Sequence, residues 1–138
     1  MDLRDTKNTT PEQRDDDLAP GGPPPPFRHA RSYLHDGITV VEFRGALDLA
    51  VVPEVRVHTD AATARQGARV IVDLRPVEFL DCATLGLLCR ARRRALERGG
   101  HLALVCVRPW HLRIFKAADL SDLFTLLTTV QDPFPRTR

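Results

Sequence analysis

The chain is poor in the residues that most often announce a reactive site. It has one tryptophan, one tyrosine and two lysines, Lys7 and Lys116, so nearly all its positive charge is arginine. None of the patterns GxxxxGKS/T, GxGxxG, HExxH or GxSxG occurs, which removes the common nucleotide, metallopeptidase and hydrolase signatures. The five histidines (29, 35, 58, 101 and 111) show no ligand-like grouping with cysteines or acids. No metal, no cofactor and no enzymatic activity is therefore expected. Cys82, Cys89 and Cys106 form no CxxC pair, and an odd count argues against a secreted disulfide framework. No run approaches the ~18 apolar residues of a membrane span, and no basic-then-apolar leader opens the chain. A reducing cytoplasm is the expected compartment.

What is present is unevenly placed over the 138 residues. Residues 1–26 hold six of the 11 prolines and only four apolar side chains, Met1, Leu3, Leu18 and Ala19. Six acids there oppose three bases, a net of −3, so the remaining 112 residues carry +5. A stretch with so little to bury cannot offset the entropy of ordering itself, which predicts a disordered tail over 1–26. Pro23 to Pro26 form a stiff spacer before a folded domain over 27–132, and 133–138 is a short C-terminal tail.

Within the domain, residues 30–34 and 38–43 are short apolar runs around His35-Asp36-Gly37, a turn signal that predicts a β-hairpin. Pro53 suits the first turn of a helix over 53–66 that stops at Gly67. Residues 70–74 are a β-branched run, the mark of a strand covered on both faces. Asp81 is a good N-cap for a helix from Cys82 to Arg98, stopped by Gly99-Gly100. Its apolar side is expected at Leu85, Leu88, Cys89 and Leu96, with Arg90, Arg93, Arg94 and Glu97 facing away. Residues 102–107 read as another buried strand, 109 onwards as a short helix with Trp110, Ile114 and Phe115 on one face, and 123–130 as an edge strand. The order predicts an α/β fold: a mixed, largely parallel sheet of four to five strands with packed helices and an opening hairpin.

Two segments could carry function. Gly45-Ala46-Leu47-Asp48-Leu49-Ala50-Val51-Val52-Pro53-Glu54-Val55 passes from strand through loop into helix, and its Asp48 on position alone is a loop or capping carboxylate. Val77-Glu78-Phe79-Leu80-Asp81-Cys82-Ala83-Thr84-Leu85-Gly86-Leu87-Leu88 joins the buried strand to the clearest helix. It lies at the carboxyl end of a strand, where open α/β sheets place functional loops.

Together these segments resemble the STAS domain of bacterial anti-sigma factor antagonists. The family shows a Gly-x-Leu-Asp segment, matched by residues 45–48, and some 30 residues on a Phe-hydrophobic-Asp-Ser-Ser/Ala-Gly-Leu segment, matched from Phe79 to Leu85. Gly99-Gly100 and Leu120-Ser121-Asp122-Leu123-Phe124 echo later family features, so the resemblance covers about residues 28–130. It implies a signalling module that binds an anti-sigma factor with a kinase-like ATP-binding fold and so releases a sigma factor. In the family that kinase phosphorylates the first Ser of Asp-Ser-Ser, which abolishes binding; a phosphate at a helix start changes an interface sharply. The implied partner-binding residues are Asp48, Asp81, Cys82, Ala83, Thr84 and Gly86.

The chain departs from the family at the switch. Cys82 stands at the phosphoacceptor position and Ala83 follows, so no hydroxyl is present there. Thr84 is the nearest substitute, about 200° around a helix from Cys82. Partner binding can persist without the switch. The alternative is an unphosphorylated STAS scaffold that assembles with other STAS proteins; a third reading is a ligand or nucleotide sensor. A helix-start thiol can also be reactive, though Asp81 opposes a thiolate at Cys82. Arg90, Arg92, Arg93, Arg94 and Arg98 invite a nucleic-acid reading, but the domain lacks the aromatics that usually accompany one, and direct nucleic-acid binding is not expected.

Overall fold

The computed structural model describes residues 22–135. The expected disorder of the N-terminal tail falls largely on residues 1–21, and 136–138 closes the C-terminal tail; both lie outside the described residues. The fold opens on a hairpin of β1 (Ala30–His35) and β2 (Ile38–Phe43), antiparallel, with His35 opposite Ile38. Asp36 and Gly37 take φ of 52° and 81° in the turn, the left-handed pair that matches the twist of two short-linked strands. The chain then runs through β3 (Gly45–Leu47), a 3-10 turn (Leu49–Val51), α1 (Val52–Ala62), β4 (Arg69–Asp73) and β5 (Val77–Leu80). It ends with α2 (Cys82–Glu97), β6 (His101–Val105), α3 (Pro109–Ala117) and β7 (Thr125–Leu127).

The main sheet has the order β1-β2-β4-β6-β7, antiparallel only at the hairpin. β3 and β5 pair with each other, in parallel, as a separate two-stranded ribbon. Because side chains alternate across a strand, β2, β4 and β6 feed two clusters. Val41, Phe43, Val70, Val72, Leu102 and Leu104 meet the helices, while Ile38, Val40, Ile71, Ala103 and Val105 pack with Tyr33, Val130 and Phe134.

Several boundaries differ from expectation for visible reasons. α1 stops at Ala62 rather than 66, where the Thr63 hydroxyl turns back to the Thr59 carbonyl at 2.8 Å. The last strand is three residues, not eight: Leu123 and Phe124 are held in a turn on the Leu120 carbonyl. In α3 the buried pair is His111 and Phe115, one turn apart, and Trp110 is exposed. In α2, Leu96 is exposed, while Leu87, Ala91 and Ala95 join Leu85 and Leu88 in the core. Arg90 and Arg94, expected to face away, reach across to Asp60 of α1. Packing also extends beyond 27–132. The Pro25 carbonyl lies 3.1 Å from His58 Nε2, and the Phe134 ring stacks on His101.

Candidate functional site

The β3–β5 ribbon builds the site. Leu47 and Leu80 are register partners, and each is followed at once by an aspartate and then a helical turn. Asp48 and Asp81 have nearly the same extended backbone, φ −118° with ψ −178° and φ −121° with ψ −174°. Asp48 Oδ1 accepts the Ala50 amide at 3.0 Å, and Asp81 Oδ1 accepts those of Ala83 at 3.0 Å and Thr84 at 3.2 Å. Both carboxylates thus satisfy donors that a helix start leaves open. Since parallel neighbours lie ~4.8 Å apart, the starts of two helical segments sit side by side at one end of the ribbon.

Thr84 locks the two starts together. Its hydroxyl is fully buried and donates to the Leu47 carbonyl at 3.1 Å. This corrects the expectation for Thr84 as a substitute phosphoacceptor and as a surface contact: no solvent reaches it, and its proton is engaged. Cys82, the first residue of α2, is exposed, Ala83 is half-buried, and Gly86 is exposed one turn above Cys82. A Cβ built on Gly86 would meet no heavy atom within 4 Å, so nothing inside the fold requires glycine there.

Two apolar neighbours of the caps face outward, which nothing in the sequence signals. Leu49, directly after Asp48, is 70% exposed, and Phe79, two residues before Asp81, is 48% exposed. A single apolar residue inside a strand or turn reads as core, and no pattern marks one that faces out. Asp73 also carries no sequence signal: buried at the end of β4, it takes Arg75 Nε at 3.0 Å and Nη2 at 2.9 Å, a fork that closes that strand end.

Two cysteines and two histidines belong to the packed interior. Burial pushes the Cys106 thiol up to about 11, and Cys89 packs against the main core cluster. Burial also holds His58 and His111 below the usual imidazole value. Among the described residues no three His, Cys, Asp or Glu side chains group as metal ligands, and no helix is long and apolar enough to cross a membrane.

Comparison with known proteins agrees with this geometry. The STAS domain profile matches residues 29–132. The anti-sigma F factor antagonist of Paenibacillus polymyxa is 28% identical over 94 residues, covering 67% of this chain and 78% of that protein. The crystal structure of an anti-sigma factor antagonist from Mycobacterium paratuberculosis superposes with a TM-score of 0.67 at 26% identity, over 73% of this chain and 86% of that one. An anti-sigma-factor antagonist (STAS) domain protein from Planctomyces limnophilus gives a TM-score of 0.63 at 25% identity, over 74% and 92%. With its fold, its paired helix starts and a profile match across the whole described domain, this chain belongs to the STAS domain family.

Proposed function

We propose that the protein is an anti-sigma factor antagonist that docks through the first turns of α2, residues 81–86, flanked by the Asp48 turn. Its partner is an anti-sigma factor with a kinase-like ATP-binding fold, and docking releases a sigma factor for transcription. The observation that carries this reading is the pairing of the two aspartate-capped helix starts around an exposed residue 82. Relatives named as antagonists support the partner class.

Cys82 occupies the position where the family carries its switch serine, so the protein binds without the usual off-state. Cysteine matches serine closely in size and leaves the cap geometry intact. An added charge does not, because it would stand beside the Asp81 carboxylate and close to Asp48. Cys82→Ser should therefore keep partner capture from the native host, and Cys82→Asp and Cys82→Glu should weaken it at least tenfold. Undiminished capture by both acidic variants would remove this surface as the docking site. The scaffold reading draws its support from the same missing hydroxyl. It requires large particles in size-exclusion chromatography with light scattering, whereas an antagonist gives a discrete complex with its partner.

A further inference from the structure

Glu54, in the first turn of α1, grips His29 twice. Its Oε2 accepts the His29 backbone amide at 2.5 Å, and its Oε1 lies 3.0 Å from ring Nδ1. A carboxylate only accepts, so the ring proton is held at Nδ1 and the second nitrogen, Nε2, keeps its lone pair. No hydrogen bond engages Nε2 among the described residues. The ring also occupies a place that only glycine leaves open. A Cβ on Gly45 would stand 3.2 Å from His29 Cδ2 and 3.7 Å from Nε2, and Gly45 has a φ of +81°. The first residue of the Gly-x-Leu-Asp segment therefore makes the turn into β3 and also gives this imidazole its room.

His29 and Gly45 line an open groove of about 510 Å³, together with Arg28, Arg44 and Glu78. That volume lies within the range of small-molecule sites. Arg28 is exposed and has no ion pair among the described residues. Arg44 gives Nη2 to Glu42 and keeps its remaining donors. Two guanidiniums and an oriented imidazole thus share the groove with the exposed carboxylate of Glu78.

We propose that this groove binds a small phosphate monoester whose remainder carries hydroxyl or amino groups. Arg28 and Arg44 supply the planar forks that match phosphate oxygens. A phosphate monoester loses its second proton near pH ~6, so close to neutrality it offers both P–OH and P–O⁻. His29 Nε2 serves either form, accepting from P–OH as a neutral ring or donating to P–O⁻ as a charged one. A carboxylate ligand, already ionised there, uses only the second arrangement. Glu78 repels a bare dianion, which is why the rest of the ligand must bring it hydrogen-bond donors. The groove opens at the start of β3, about 10 Å along the strand from Asp48. It leaves the surface around Cys82 uncovered, and the proposal does not depend on the antagonist reading.

The test is an NMR titration of the isotope-labelled full chain with glycerol phosphate and with inorganic phosphate, at constant ionic strength so that screening does not change. Both should give saturable shifts at the His29 ring nitrogens and at the amides of residues 28, 29 and 44–46. Glycerol phosphate, whose hydroxyls can meet Glu78, should bind several-fold more tightly than inorganic phosphate. Arg28→Gln alters an exposed side chain outside the core, so the urea midpoint should hold while affinity falls about tenfold, the scale of one lost charged hydrogen bond. Shifts that map to another surface, equal affinity for the two phosphates, or undiminished binding by Arg28→Gln would each overturn the proposal. So would a response that fails to saturate in the millimolar range.

Discussion

Cys82 and Thr84 stand two residues apart and have opposite fates. The helical step turns Thr84 about 200° from Cys82, into the seam between the two helix starts, where its hydroxyl meets the Leu47 carbonyl. That angle was legible in the sequence, and so was the capping role of Asp81. What occupied the far side was not, because it depends on a strand 37 residues earlier. Gly86 completes the exposed line one turn above Cys82. It has open space around it and no positive φ, so Gly86→Ala should stabilise the fold by about 0.5–1 kcal/mol through helix propensity. Urea denaturation would measure that gain. If partner capture falls while stability rises, the bare helix surface is a contact; unchanged capture would take Gly86 out of the interface.

At the scale of elements, the sequence revealed those with strong local grammar. The Asp36-Gly37 turn, the β-branched run of β4 and the capped start of α2 each rest on nearby residues, and each stands where expected. The β3–β5 ribbon had no such signature, because its strands are three and four residues long and pair across 32 to 33 positions. Trp110 misled for a related reason. Its size suggests core, but the phase of α3 is set by His111 and Phe115, and the ring lies outside. The turn from α2 to β6 shows how sharply a local signal can be constrained. Gly99 takes φ +73° after the helix end, whereas Gly100 is needed for space: a Cβ there would lie 2.2 Å from the Ala68 carbonyl oxygen. Gly100→Ala must push the α2–β6 connection off the end of α1's loop, at a cost of about 1–3 kcal/mol. A thermal melt reads this directly, and an unshifted midpoint would contradict the close approach.

Across the whole molecule, two buried imidazoles couple the fold to pH. His58, fully buried on α1, has Ser32 Oγ 2.6 Å from Nδ1, the Pro25 carbonyl 3.1 Å from Nε2, and the Phe27 ring edge-on. Burial keeps His58 and His111 below the ordinary 6.5, so the unfolded chain binds more protons than the folded one near that pH. Stability is then full above about pH 7 and falls as the pH drops through 6.5. Glu42 and Glu54 are lowered by their partners and stay ionised in that window, so they do not mask the fall. Urea midpoints should decrease steadily from pH 7.5 to 5.5; a constant midpoint would contradict neutral burial of both rings. The locked helix starts have a consequence for recognition as well. With both carboxylates engaged on their own amides and Thr84 bolting α2 to the end of β3, the surface around Cys82 has little freedom left to lose. A partner meets a shape already formed, so the entropy of association falls almost wholly on the partner's side, and differences in affinity between partners reflect how long each stays rather than how fast it arrives.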